Sequence, residues 1–402
     1  MLSWHSRRST YLKFVWAFVR RSCFEGSRTH VITSLTSIQD VTRAGSHTTF
    51  ESDKAFFNMY HQHVLLFHFL TSTPIAYVAC QQTSVEQIAA QYSLTSSTIL
   101  PFPSATQSAK DTDSLIVSSW SLGKGRIQDN ADHLAFVDDP FPSTSGANST
   151  GPVLQVTYPE KSFGSSDSGA QFINLWNASD GSSFQSMLLS YEVAFDAGFN
   201  WVKGGKLPGV RGGLNSTGCS GGNQADGKEC FSTRLMWRQD GEGEAVYAYI
   251  PTPNNICSSD DVICNSDFGT SLQRGAFGFV SNQWNRIALL VRLNNPPNVA
   301  NGNIQLYYND LKAIDQQNLQ IRSSASVNAN GLFFSTFFGG SDDSWGTPTT
   351  THTYFRNIRL HGGNTASNLT GQVVSAADRT AYFQMSILLL CLVTIGWVIM
   401  LL

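Results

Sequence analysis

The chain has 402 residues, a formal net charge of -3, 14% charged side chains, and 41% hydrophobic and 12% aromatic ones. Those values exclude an intrinsically disordered chain and give no reason to expect a nucleic-acid partner. They allow one large β domain with extensions, or two smaller domains. The abundance of Ser, Thr, Asn and Gly is common in secreted β-rich proteins.

Residues 1–58 are basic and patternless, and are expected to lie upstream of the true start; the alternative is a cytosolic arm before a signal anchor. From Met59 the sequence MYHQHVLLFHFLTSTPIAYVACQQ has a short polar start, an apolar run and small residues around Ala79. Residues 59–80 therefore read as a secretory signal peptide, cut near Ala79 or Cys80. Residues 81–114 form an N-terminal segment, with a short helix expected over Thr83–Tyr92 and a Ser/Thr/Pro-rich stretch over Ser93–Ser108.

Strand signals recur over residues 115–362, separated by turn clusters. Strands are expected at LIVSSWSL, GPVLQVTYP, SMLLSYEVAF, FSTRLMWR, VYAYIP, WNRIALLVRL, NIQLYYND, GLFFSTFFGG and TYFRNIRLHG. Their number and lack of helical period point to an all-β fold, an antiparallel jelly-roll sandwich with a concave cleft for a chain-like ligand. No internal repeat is visible. Residues 363–384 read as a Ser/Thr-rich spacer. Residues 385–402 are almost wholly apolar from Ile387 on, preceded by Ser375-Ala376-Ala377. Small residues, spacer and a hydrophobic end without terminal Lys or Arg fit a glycolipid (GPI) anchor signal. A single transmembrane or tail-anchor helix is the alternative, since the run spans roughly 25 Å at about 1.5 Å per residue.

Of the seven cysteines, Cys219 and Cys230 flank one Gly/Asn/Asp loop, and Cys257 and Cys264 flank another short loop. Both pairs read as local disulfides in an oxidising compartment. A zinc site is the alternative, but no histidine lies near either pair and neither has CxxC spacing, so no metal is expected. Sequons at Asn148, Asn177, Asn215 and Asn368 agree with secretion, though Ser/Thr-rich chains also produce them by chance.

Chemistry concentrates in Trp201–Pro251. In FSTRLMWR, alternation puts Ser232, Arg234 and Met236 on one side of a strand and Phe231, Leu235 and Trp237 on the other. In VYAYI it puts Tyr247 and Tyr249 on one face, opposite Val246, Ala248 and Ile250. A serine, a guanidinium and two phenols on the polar faces of neighbouring strands suit an anionic sugar. The structural alternative is a cross-strand Tyr/Arg surface pair, worth under about 1 kcal/mol.

The blocks GGKLPG, CSGG, Phe231–Arg238 and Tyr247–Pro251, followed in order by WNRIALLVRLN, NGNIQLYYNDLKAID, GLFFSTFFGGSDDSWG and THTYFRNIRL, resemble polysaccharide lyase family 14 in its fungal secreted form. The resemblance covers roughly residues 115–362. It implies a jelly roll, no cofactor, and a cleft of one lysine, one serine, one arginine and two tyrosines. Those carry over to Lys206, Ser232, Arg234, Tyr247 and Tyr249. Lys203 also flanks the glycines and is a substrate-binding candidate, or else a solvated lysine beside a turn. Arg238 and Trp345 complete the substrate-binding set.

What the resemblance implies is a secreted, surface-tethered, monomeric lyase that cleaves a β-1,4-linked polyuronate, glucuronan or alginate, by β-elimination. The alternative is a non-catalytic carbohydrate-binding jelly roll. Elimination removes the proton at C5, beside the carboxylate, and expels the oxygen at C4. Arg234 neutralises the carboxylate, Lys206 adds charge, and Ser232 donates to the developing enediolate. A tyrosine near a cation loses its proton more readily and takes the C5 proton; lysine is the rival base. Glu242 and Glu244 fall short of a glycosidase pair, because Glu244 has the parity of Val246, opposite the tyrosines. Asp342, Asp343 and Trp345 edge a cleft and stack a sugar, coordinate calcium, or form a plain loop, and His352 reads as structural.

Overall fold

The computed structural model describes residues 82–142, 151–265 and 267–374. The proposed signal peptide, Asn148 and the apolar C-terminus lie outside that range. In chain order the first elements are α1 (Val85–Gln91), β1 (Ser96–Ile99), α2 (Ala109–Ser119), β2 (Leu134–Val137), β3 (Val153–Tyr158) and β4 (Ala170–Leu175). There follow β5 (Ser186–Phe195), β6 (Gly204–Gly213), β7 (Cys230–Arg238), β8 (Glu242–Tyr249), β9 (Val262–Ile263), β10 (Thr270–Leu272) and β11 (Phe277–Gly278). The last are β12 (Trp284–Arg292), β13 (Val299–Ala300), β14 (Gly302–Tyr308), β15 (Leu311–Leu319), β16 (Ala329–Phe338), β17 (Thr351–Gly363) and β18 (Gln372–Val373).

The long strands form two antiparallel sheets. One has the order β15-β14-β12-β5-β17-β3-β2, with β1 added along β17. The other runs β4-β16-β6-β7-β8-β10-β9, with β11 beside β8, while β13 and β18 pair separately. This is the expected all-β jelly-roll sandwich. Eight of the nine expected strands fall on β3, β5, β7, β8, β12, β14, β16 and β17.

The ninth is corrected: LIVSSWSL lies mostly in α2, not in a strand. Ser108 caps that helix by accepting from the Asp111 N–H, and a four-residue spacing buries Thr112 and Ile116 together. The run is too short for its period to separate strand from buried helix. The expected helix over Thr83–Tyr92 is α1, started by a capping box between Ser84 and Gln87 and laying Ile88 and Ala89 against Leu188, Leu290 and Tyr307.

Between the sheets an aromatic cluster holds β7 in place. Trp237 packs edge-on against Phe338 at 5.3 Å and Phe199 at 5.8 Å, and Tyr158 meets Phe338 at 5.3 Å. Tyr158 is buried, its hydroxyl bonded to Thr336 at 2.5 Å and Thr353 at 2.8 Å. On the far face of the first sheet, Arg356 forks Glu192 through Nε and Nη2, reaches Asp139 through Nη1 and stacks 4.1 Å over Trp284. His352 is paired there with Asp196 at 2.9 Å, a structural position remote from β7 and β8. Among the described residues, no helix is long and apolar enough to cross a membrane.

β6 carries Pro208 inside a central strand, where its missing N–H interrupts the ladder. Both neighbours shift register there. Against β7 the pairs jump from Leu207–Leu235 to Val210–Thr233, and against β16 from Lys206–Phe337 to Gly209–Phe333. The bulge sets β6's two residues Pro208 and Gly209 opposite Arg234 alone.

Burial raises the phenol pKa of Tyr158 and of Tyr191. Above about pH 10 the unfolded chain loses protons that the folded state keeps, so folding stability falls as pH rises further. Urea midpoints measured across that range should drop at constant m-value.

Candidate functional site

Arg234 occupies the centre of the second sheet, on the face turned away from the first. Its side chain reaches across β6 to β16, and an added Cβ at Gly209 would lie 2.0 Å from the Thr233 carbonyl oxygen and 2.5 Å from Arg234 Cα. It ends between two rings, 4.6 Å from the Phe333 centroid and 5.6 Å from that of Tyr249. Nη1 donates to Ser335 Oγ at 3.0 Å. Nε and Nη2 are buried without partners, and no described carboxylate pairs with this cation. Burial pushes its pKa down to about 10, which leaves the guanidinium cationic at neutral pH.

The other expected groups converge here. Strand pairing sets Ser232 beside Tyr249 and Arg234 beside Tyr247. The two phenol rings meet edge-on at 5.7 Å. Lys206 Nζ stands 4.4 Å over the Tyr247 ring, 5.4 Å from Phe337 and 3.9 Å from Met236 Sδ. Ser232 and Arg234 are 1% exposed, Tyr249 2% and Tyr247 7%, so loops cover the group. Ser232 Oγ donates to the Cys219 carbonyl at 2.6 Å, and the Gly222 N–H donates to Tyr249 Oη at 3.2 Å. From a second loop the Gly269 N–H donates to Tyr247 Oη at 3.0 Å.

Both expected disulfides are present. Cys219–Cys230 ties the covering loop to β7, and Cys257–Cys264 closes the loop after β8. Asn215 is half-buried, its amide donating to Glu229 and its carbonyl accepting from Thr217, whereas Asn177 and Asn368 are exposed.

One expectation changes for Tyr247. Burial, and then neighbouring Tyr249, raise its pKa, so it keeps its proton more firmly than a free phenol. The β8 backbone bulges beyond Val246: Leu235 pairs with Val246 but Met236 with Glu244. Met236 lies on this face as alternation placed it; Phe333, Ser335 and Phe337 also belong to it and were missed. The alternation in GLFFSTFFGG groups the last three on one side, but the sequence holds no sign that β16 lies across β6 from Arg234.

Lys203 and Trp345 meet each other at the start of β6. Lys203 Nζ lies 5.6 Å from the Trp345 ring and donates to Ser344 Oγ, which donates to Asp342. Trp345 lies flat on Gly340, whose φ of 90° and missing side chain make room for the ring. Arg238 is half-buried and lies against Gly204. A cavity of about 370 Å³ under α1 holds charged groups paired with one another, Arg286 with Asp310 and Arg359 with Glu86. Among the described residues no group of three His, Cys, Asp or Glu forms a metal cluster.

A two-sheet jelly roll bearing cations and phenols on one outer face belongs with the β-sandwich proteins that handle carbohydrate chains. The family model for polysaccharide lyase 14 matches residues 146–358, more than half of the chain, and the chain belongs to that family. The alginate lyase of this family from Aplysia kurodai is 36% identical, with 58% of this chain and 88% of that one covered at a TM-score of 0.50. An alginate lyase from a Chlorella virus is 21% identical, covering 56% of this chain and 90% of that one at a TM-score of 0.44. The endo-β-1,4-glucuronan lyase from the fungus Trichoderma reesei is 8% identical, covering 58% and 88% at a TM-score of 0.38. No curated protein sequence matches the chain significantly.

Gly209→Ala should cost about 1–3 kcal/mol of folding stability, because the new methyl meets backbone atoms that cannot move aside. Urea denaturation followed by tryptophan fluorescence measures it.

Proposed function

We propose that the chain is a secreted lyase that depolymerises a β-1,4-linked polyuronate by β-elimination. The observation that carries this reading is the unpaired Nε and Nη2 edge of Arg234, buried beside two phenols. The same edge forks Asp310 from Arg286 and Glu192 from Arg356 elsewhere in the molecule. At Arg234 it is the geometry for a sugar carboxylate.

Held there, the carboxylate loses the charge that opposes removal of the neighbouring C5 proton. Tyr249, whose ring lies 5.6 Å from Arg234 and whose oxygen accepts the Gly222 N–H, is the base. The C5–H electron pair forms the C4–C5 double bond as the C4–O bond breaks. Tyr247, which retains its proton, donates it to the departing oxygen. Lys206, over the Tyr247 ring, adds positive charge on the leaving-group side. Ser232 donates to the Cys219 carbonyl and turns its hydrogen to the enediolate when the covering loop shifts. Lys203, Arg238 and Trp345 bind sugars further along the chain. No metal or cofactor enters this scheme.

Family membership and the Aplysia likeness favour alginate; glucuronan is the other uronan to test. The disulfides favour an oxidising compartment. The N-terminal signal and the C-terminal anchor are further parts of this proposal.

Purified protein should raise ultraviolet absorbance from the unsaturated product on alginate or glucuronan, and leave neutral β-glucan unchanged. Tyr249→Phe and Tyr247→Phe should each lower kcat by about 10²–10⁴-fold. Tight binding to both uronans without any new absorbance would make the protein a binding module instead.

A further inference from the structure

Arg234 is gripped by one side chain, and that side chain begins a relay across two more strands and a loop. Arg234 Nη1 donates to Ser335 Oγ at 3.0 Å, Ser335 Oγ donates to Gln171 Oε1 at 3.0 Å, and Gln171 Nε2 donates to Asp129 Oδ2 at 2.9 Å. The backbone sets the spacing independently. Ser335 and Gln171 are direct partners across β16 and β4. Gln171 and Asp129 exchange main-chain hydrogen bonds of 3.1 and 3.2 Å. Ser335 sits inside the β16 register shift opposite Leu207 and Pro208, which lets its hydroxyl meet a guanidinium reaching over from β7.

Donor and acceptor counting gives the relay a direction. An ionised carboxylate only accepts, so Gln171 turns its NH₂ to Asp129 and its carbonyl to Ser335. The Ser335 hydrogen is then committed to that carbonyl, and its lone pairs face Arg234, which only donates. Arg234 at one end and Asp129 at the other leave a single arrangement in which all three bonds of the relay form.

We infer that Ser335, Gln171 and Asp129 are positioning residues that hold Arg234 Nη1 so that the Nε and Nη2 edge faces the substrate carboxylate. The inference rests on the reading of Arg234 as the carboxylate-binding group. Asp129 acts from a loop beyond the sheet edge, through two intervening side chains. Asp129→Asn keeps shape and volume but lets Gln171 turn over. Its NH₂ then faces Ser335, and the serine hydrogen points at Arg234.

The test uses the full chain with Ser335→Ala, Ser335→Thr and Asp129→Asn, recording kcat and KM on the uronan that is cleaved, melting temperature, and the ¹⁵N spectrum of the Arg234 guanidinium. Ser335→Ala and Asp129→Asn should each lower kcat/KM about tenfold or more with little change in melting temperature, as for loss of a hydrogen bond to a charged group. Ser335→Thr should recover most of the loss. Distinct Nη signals, split by the held bond in the wild type, should merge in Ser335→Ala. Wild-type kcat/KM in both Ser335→Ala and Asp129→Asn would overturn the relay, as would losses matched by equal falls in melting temperature without threonine rescue. If the wild type cleaves no uronan, the lyase reading fails on its own, and the guanidinium spectrum alone decides: merged Nη signals in the wild type overturn the relay, split ones that merge in Ser335→Ala sustain it.

Discussion

Burying a guanidinium without a counter-charge is the constraint around which the second sheet is arranged. An unpaired buried ion costs several kcal/mol even after relaxation. The same molecule shows how that cost is ordinarily met: Arg356, equally buried, has Glu192 and Asp139 against it. Arg211 satisfies itself on Asn330 and the carbonyls of Gly213 and Asn215. Arg234 has only the faces of Phe333 and Tyr249 and one hydroxyl. In the proposed function a substrate carboxylate completes this group, and the aromatic core beneath, through Trp237, holds β7 fixed meanwhile.

The demand propagates to the neighbouring strands. At Gly209 β6 can carry no side chain, because a Cβ there would meet the Thr233 carbonyl and Arg234 Cα, and the strand slips its register where Pro208 withholds a ladder N–H. A residue that breaks central strands elsewhere is useful here because a bulge is needed at that point. The slip against β16 in turn brings Ser335 within reach. Local sequence preference and global geometry thus disagree at β6, and the disagreement falls where the site is.

That disagreement explains what could be read in advance. FSTRLMWR and VYAYI are alternating strands, so Ser232, Arg234 and both tyrosines were placed on common faces from spacing alone. GGKLPGVRGG, rich in glycine and with an internal proline, gave no strand signal, although it is the strand on which Lys206 is mounted. Gln171 and Asp129 left no trace, since their role depends on which strands are neighbours, and alternation says nothing about sheet order. LIVSSWSL failed for a different reason: the cap and the period that make it helical begin upstream, at Ser108 and Thr112. The single extra residue in the β8 backbone between Glu244 and Val246 is likewise invisible to simple alternation.

The proposed elimination divides acid and base between two tyrosines on one strand face. They share a residue type, a face and an edge-on contact, and each phenol oxygen accepts one backbone N–H. Arg234 acts on both phenols, Lys206 stands over the Tyr247 ring, and a second negative charge so close is opposed in a buried pair. Two interacting phenols lose their protons in sequence rather than together. One phenolate and one phenol side by side are what an elimination requires, because the proton accepted from carbon and the proton given to oxygen then reside on different groups throughout the step.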